Sequence, residues 1–275
     1  VGSEMCIRDS SMSIKLVATD MDGTFLDDKG QFDMERLKHL LAQFREKGIY
    51  FAVASGRGIL SLEKLFHEVR DDMIFIAENG SLVEFQGKDL YEATMPREFY
   101  LKVFDKLKES PFVNINELLL TGKKGCYVLE TVDPTYLSFS ANYNENIQKV
   151  ADFSEITDEI FKFTTNFSEE TVADGEAWVN ENVAGVKAMT TGYKSIDIVL
   201  DYVDKGVALV ELAKKLGLEM DQVMAFGDNL NDLHMMQVVG HPIAPENARP
   251  EILAVAKEVI GHHAAQSVMT YMEGL

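Results

Sequence analysis

Asp20 and Asp22 stand two residues apart in Asp20-Met21-Asp22-Gly23-Thr24. The run before them, Ile14-Lys15-Leu16-Val17-Ala18-Thr19, reads as a buried β-strand. Two carboxylates at a strand end, just before a glycine that permits a sharp turn, can point into the same space. Such a pair can bind a hard divalent cation such as Mg²⁺ through oxygen. It can also divide chemistry, one carboxylate attacking and the other moving a proton. The alternative use of the same aspartates is to cap the following turn.

Three further segments appear in the order this chemistry needs. Tyr50-Phe51-Ala52-Val53-Ala54-Ser55-Gly56-Arg57 is a strand that ends in Ser-Gly and opens a helix. The Ser55 hydroxyl and the backbone N–H groups near Gly56 would form a phosphate cradle at a helix N-terminus, although a serine there also serves as a plain cap. Lys205, in Asp204-Lys205-Gly206-Val207, opens an amphipathic helix. A cation at that end opposes the helix dipole, so a contact with a phosphoryl group or with the nucleophile would explain it. Val223-Met224-Ala225-Phe226-Gly227-Asp228-Asn229-Leu230-Asn231-Asp232 is another strand that ends in acids. Asp228 would complete a Mg²⁺ shell and Asp232 would orient it from behind. In open α/β sheets ligands bind beyond the carboxyl ends of the strands, and Asp20, Ser55 and Asp228 all belong to that layer.

With these motifs the chain resembles the haloacid dehalogenase superfamily of phosphohydrolases. The words Ala77-Glu78-Asn79-Gly80-Ser81, Phe161-Lys162-Phe163 and Ser195-Ile196-Asp197 resemble its Cof-type branch. The stretch through Phe25-Leu26, with Val53-Ala54-Ser55-Gly56, is most similar to the bacterial sugar-phosphate phosphatases of that branch. The resemblance implies that Asp20 attacks phosphorus and that Asp22 gives a proton to the leaving alkoxide, then takes one from water. It implies that Asp20, the backbone carbonyl of Asp22, and Asp228 hold Mg²⁺. Ser55, the Gly56 N–H, Lys205 and Asn231 would stabilise the phosphoryl oxygens. Cation pumps of this superfamily carry threonine where Asp22 stands, so Asp22 points to turnover by water or by a second alcohol.

These residues need a scaffold, and the pattern of the chain supplies one. Strands at Ile14–Thr19, Tyr50–Ala54 and Met73–Ala77 alternate with helices at Met34–Lys47 and Ile59–Val69. Alternation resumes with strand Ile196–Leu200, helix Gly206–Leu216, strand Val223–Phe226, helix Asn231–Val239, a segment at Pro242–Ala244 and helix Arg249–Val255. This predicts an α/β fold: a Rossmann-like parallel sheet with helices on both faces. The middle differs, with Gln86-Gly87, Gly122 and Gly125 as turn signals. It carries helices at Arg97–Lys108 and Glu169–Asn180 and strands at Cys126–Glu130, Phe161–Thr165 and Val186–Met189. An inserted α+β domain is expected over 84–190, between core segments 12–83 and 191–275. In the resembling family an insertion at that place is the second cap type, which roofs the site and excludes water.

The first eleven residues show neither strand nor helix periodicity. Glu4–Ser10 reads as a translated adapter sequence, which places the expected native start at Met12.

Among 275 residues, 46% are hydrophobic, outside the range of disordered chains. The N-terminal segment lacks the pattern of a secretory signal, and no apolar run has the length of a membrane span. Cys6 and Cys126 have no metal spacing, and a reduced, cytoplasmic protein is expected. The net charge of −19 argues against nucleic acid and anionic membranes as partners. A small phosphorylated metabolite remains compatible with it, because Mg²⁺, Lys205 and backbone N–H groups would make the site locally attractive to phosphate. Histidines 39, 67, 234, 241, 262 and 263 lack a credible ligand spacing. Tyr91, Phe99, Tyr100, Phe104, Phe139 and Tyr143 are expected mostly in the core of the insertion, with room for one or two of them to face a sugar ring, and Arg57 is expected either at the substrate or in a salt bridge. The competing functions are a phosphomutase or phosphotransferase, a pyridoxal phosphate or nucleotide phosphatase, and a phosphate sensor without activity. A phosphomutase would need clustered basic residues in the insertion, whereas Lys123, Lys124, Lys149, Lys162 and Lys187 are scattered in an acidic segment, which favours hydrolysis.

Overall fold

The computed structural model describes residues 13–191 and 194–275. The expected non-native tail, residues 1–11, lies outside them. In chain order the elements are β1 (Leu16–Asp20), α1 (Met34–Lys47), β2 (Tyr50–Ala54), α2 (Ile59–Leu65), β3 (Ile74–Ala77), β4 (Leu82–Phe85) and β5 (Lys88–Glu92). Next come α3 (Arg97–Leu107), β6 (Leu118–Gly122), β7 (Cys126–Leu129), α4 (Pro134–Ser140), β8 (Ile147–Val150), β9 (Ile160–Asn166), α5 (Val172–Asn182), β10 (Val186–Thr190) and β11 (Ser195–Leu200). The chain closes with α6 (Lys205–Leu216), β12 (Val223–Phe226), α7 (Leu233–Val238), β13 (His241–Pro245), α8 (Pro250–Val255), β14 (Glu258–Ile260) and α9 (Ser267–Glu273).

The first sheet has the order β14-β13-β12-β1-β2-β3-β4-β5. It is parallel from β14 to β3 and antiparallel beyond. Its central strands are buried on both faces, so they read as continuous apolar runs rather than alternating ones. One face, with Val17, Phe51 and Phe226, packs against α1 and α9 through Leu37, Phe44 and Met269. The other packs against α6 and α7. There Ala18 lies level with Ala52 on one side and Ala225 on the other. Lys205, the first residue of α6, reaches the end of β1 from beside the loop after β3, where Gly80 packs against the Asp204 backbone.

The second sheet runs β10-β11-β9-β6-β7-β8, antiparallel except for the β7–β8 pair. It has its own core, built from α3 and α5 residues such as Tyr100, Leu107 and Val179 with Phe163 and Ile198.

Two boundaries differ from expectation. β5, placed in the insertion by sequence, is the edge of the first sheet, because the Gln86-Gly87 turn closes a hairpin with β4. β11, placed in the core sheet as the strand of a β–α unit, instead pairs with β9 and β10. A strand followed by a helix looks the same whichever sheet it joins. The helix expected over Ile59–Val69 also ends early, at Leu65, and continues as a tighter turn through Asp72.

β3 ends in a tight loop in which Glu78, Asn79 and Gly80 all have positive φ. A Cβ on Gly80 would lie 2.3 Å from the backbone oxygen of Asp204, the residue that caps α6. Gly80→Ala is therefore expected to destabilise the protein by about 2 kcal/mol or more through strain and overpacking, measured by urea unfolding. A change within a few tenths of a kcal/mol would contradict this close approach.

Candidate active site

Four neighbouring strands, β12, β1, β2 and β3, present their carboxyl ends side by side. Asp20 closes β1, Asp228 follows β12 by two residues, Ser55 follows β2, and Glu78 follows β3. Lys205 reaches across from α6. Its Nζ donates to Asp20 Oδ1 at 2.7 Å and to Asp232 Oδ1 at 2.7 Å. The lysine is 1% exposed, so its place at a helix start is repaid by two carboxylates rather than by solvent. Asp232 Oδ2 accepts from the backbone N–H groups of Asp228 (3.0 Å) and Asn229 (3.2 Å). Asp232 thus fixes both the lysine and the loop that carries Asp228.

The chain leaves β1 in a wide turn, with the Leu26 N–H bonded to the Met21 carbonyl at 2.9 Å. Gly23 takes φ +78°, and a Cβ there would lie 2.4 Å from Asp228 Oδ2. Only glycine permits this approach, and it is what lets Asp228 come up beside Asp20. Thr24 donates to Asp228 Oδ1 at 2.7 Å and secures it. The threonine stood in the motif, but nothing in the sequence assigned it this partner.

Asp20, Asp228 and Asp232 each offer a carboxylate oxygen, and these oxygens lie within 4.8 Å of one another. Against three acids the cluster holds one ammonium, that of Lys205. Burial pushes the Asp20 carboxyl up to about 7; Lys205 opposes this and Asp228 adds to it. Burial likewise raises Asp228, and raises Asp232 to about 6. A hard divalent cation fits this donor set, since all donors are oxygens and two negative charges are left unbalanced. Asp232 is already committed to Lys205 and two N–H groups, which leaves Asp20 and Asp228 as the side chains best placed to hold it.

Asp20, Asp22, Ser55, Gly56 and Asn231 open on one cavity of about 470 Å³. Asp22 is largely exposed, and its carboxylate meets the Arg57 guanidinium at 3.4 Å. The Asn231 side-chain oxygen is buried without a hydrogen-bond partner among the described residues, as expected of a group that meets a ligand. Ser55 does not cap a helix: α2 begins at Ile59 with Gly58 as its cap. Instead Ser55 Oγ accepts from the Arg57 N–H at 3.0 Å, so Ser55 belongs to the loop 55–57 rather than to a helix end. Serine followed two residues later by a free N–H favours this local turn as readily as a cap.

Sequence reasoning missed the far wall. Phe139 and Tyr143, two of the six aromatics expected mostly in a core, are 38% and 49% exposed, lie tilted with ring centroids 5.3 Å apart, and line the cavity with Asn166, Lys194 and Ser195. The signal that could have placed α4, the helix that carries Phe139, is Asp133-Pro134, a cap followed by proline in the first turn.

Asp20 favours its protonated form in the fold, so its contribution to stability is complete below about pH 4 and is lost as pH rises through about 7. Metal-free protein should therefore melt at lower temperature at pH 8 than at pH 5, and Asp20→Asn should flatten part of that slope. Mg²⁺ should raise the melting temperature at pH 8, and Asp228→Ala should abolish the rise. Calorimetry in EDTA and in Mg²⁺ checks this; a Mg²⁺ response retained by Asp228→Ala would refute the assignment.

A family model for haloacid dehalogenase-like hydrolases matches residues 17–272. The 5-amino-6-(5-phospho-D-ribitylamino)uracil phosphatase YbjI of Escherichia coli is 32% identical over 263 residues, covering 95% of this chain and 96% of its own. The crystal structure of SMU.1108c from Streptococcus mutans superposes with a TM-score of 0.86 at 28% identity, over 95% of this chain and 98% of that one. The subclass IIB sugar phosphatase BT4131 shares the fold, with a TM-score of 0.77 at 18% identity over 94% and 98% of the two chains. The chain belongs to the haloacid dehalogenase-like hydrolases, as a phosphatase of that family.

Proposed function

We propose that this chain hydrolyses small phosphorylated metabolites by double displacement at Asp20, with Mg²⁺ as its cofactor. The observation that carries the reading is the buried Asp20 carboxylate, held by Lys205, opening on the same cavity as Asp22 and the Ser55–Arg57 loop. Asp20 and Asp228, with the backbone carbonyl of Asp22, would hold Mg²⁺. When bound, the ion keeps the buried carboxylates ionised and offsets phosphoryl charge.

An Asp20 oxygen attacks phosphorus while the bond to the ester oxygen breaks. Asp22, more exposed than Asp20 and free to reach the leaving group, supplies its proton. Water then attacks the phosphorus of the aspartyl-phosphate as Asp22 takes a proton, and Asp20 is released with phosphate. The Ser55 hydroxyl, the Gly56 N–H, Lys205 and Asn231 receive the negative charge on the phosphoryl oxygens. We further propose that residues 84–190, as an inserted cap, roof this site. The few cysteines support a cytoplasmic setting.

The cavity favours a leaving group with two kinds of surface. Asn166, Thr191, Lys194 and Ser195 suit the hydroxyls of a sugar or polyol. A second reading, in which a flat ring is attached to that chain, is favoured by the Phe139–Tyr143 pair in the cavity wall. The substrate named for YbjI combines a phosphoribityl chain with a uracil ring.

Asp20→Asn should lower turnover by about 10⁴-fold or more with the fold intact. Lys205→Ala should cost far more than the surface change Lys102→Ala, by a few kcal/mol in transition-state stabilisation. Phosphate-release assays on the purified variants check both, and wild-type rates in Asp20→Asn would end the mechanism.

On a metabolite panel, paired Phe139→Ala and Tyr143→Ala changes should raise KM several-fold for a ring-bearing ester and leave hexose 6-phosphates nearly unchanged. Equal effects on both would remove the ring subsite and leave the phosphatase reading standing.

A further inference from the structure

Of the nine lysines of the insertion, Lys162 is the buried one, 5% exposed on β9. Its ammonium has three protons, and it has three acceptors. Asp197 Oδ2 lies at 2.9 Å, Asn79 Oδ1 at 3.2 Å, and the Gly56 carbonyl oxygen accepts the third. Glu78 Oε2 stands a little farther off, at 3.7 Å. The carboxylates are themselves held: Asp197 by Thr164 and Glu78 by Thr121, each at 2.9 Å. This cluster joins the two sheets, with Gly56, Glu78 and Asn79 at the ends of β2 and β3 and the others on β6, β9 and β11. A buried ionic cluster is seldom worth more to stability than an apolar contact of the same shape, so its presence beside the cavity asks for a further reason.

The reason lies in the loop that it grips. The Ser55 carbonyl accepts from the Asn79 N–H at 3.0 Å, and the Arg57 carbonyl from the Glu78 N–H at 2.9 Å. The carbonyl between them, that of Gly56, is taken by Lys162. The Gly56–Arg57 peptide is a rigid planar unit, so its carbonyl and its N–H are fixed together. That N–H is the one that donates to Ser55 Oγ. With the oxygen accepting there, the hydroxyl proton of Ser55 is free to turn into the cavity.

We propose that Lys162 is a positioning residue, which locks the Gly56–Arg57 peptide and so aims the Ser55 hydroxyl at the phosphoryl oxygens. The insertion thus completes the phosphate site as well as roofing it. Because all three ammonium protons are engaged, Lys162 has none for the leaving group. Its loss must then weaken phosphoryl recognition equally for every ester. This inference rests on the reading of Ser55 and Gly56 as the phosphate-binding groups.

The test compares Lys162→Met, the double variant Lys162→Met with Asp197→Asn, and Ser55→Ala in the full chain with Mg²⁺. The double variant restores the net charge of the wild-type cluster, which the single variant makes one unit more negative. Thermal melts, competitive inhibition by inorganic phosphate, and kcat and KM on p-nitrophenyl phosphate and a hexose 6-phosphate are measured. Folded Lys162 variants should bind inorganic phosphate about tenfold more weakly or worse, and kcat/KM should fall by about 10–100-fold, by the same factor on both esters. A folded double variant with wild-type phosphate affinity overturns the inference, as does a loss confined to one ester. If Ser55→Ala leaves phosphate affinity unchanged, the phosphate-site reading falls and this inference with it. If Ser55→Ala weakens phosphate while the double variant does not, only the role of Lys162 falls.

Discussion

One buried ammonium faces three buried or half-buried carboxylates, and the rest of the molecule is arranged around that imbalance. Lys205 reaches Asp20 from the start of α6, which is seated against Gly80 in the loop after β3. Asp228 can join them only because Gly23 has no side chain. A carboxylate in such a place is costly to ionise, which shows in the upward displacement of Asp20, Asp228 and Asp232 alike. On the proposed function, the same cost would make the cluster a receptor for a divalent cation and Asp20 a nucleophile whose charge depends on that ion. Lys205 alone cannot balance the site; it orients two of the three acids and leaves a net negative charge.

The second dependence runs between the sheets. Glu78 and Asn79 adopt left-handed backbone conformations that non-glycine residues seldom take. The surroundings hold them there: their N–H groups bind the loop 55–57, Gly80 packs under the α6 cap, and their side chains meet Lys162 and Thr121. Strain of this kind is found where surrounding contacts over-determine the backbone, and here those contacts come from both sheets. On the proposed function, phosphate recognition and the seating of the insertion would share atoms, which would link coverage of the site to its competence.

The acids and the lysine were legible because strand-end carboxylates before glycine, and a lysine at the wrong end of a helix, are local anomalies with few explanations. The parallel core was legible because its strands are uniformly apolar and its helices amphipathic; α1 spans Met34–Lys47 as its periodicity and its Asp33 and Gly48 caps dictate. Partnership between distant segments was not legible. β11 gives no sign of which sheet it joins, and Lys162 looks like any lysine in a strand until Gly56 and Asp197 are brought to it. Phe139 and Tyr143 have the composition of core residues, and only their exposure beside the cavity separates them from Tyr100 and Phe104. The Ser55 turn lay between, since serine serves helix caps and local turns by the same hydrogen bond.

The central claim is that phosphorus passes through Asp20. Wild-type enzyme quenched in acid during turnover, then reduced with borohydride and digested, reports this directly, because an aspartyl-phosphate is reduced to homoserine at its own position. The account predicts homoserine at position 20 in a substrate-dependent fraction of the chains, and none in Asp20→Asn. Turnover with no reducible acyl phosphate trapped, or with the modification at Asp22 or Asp228 instead, would contradict it.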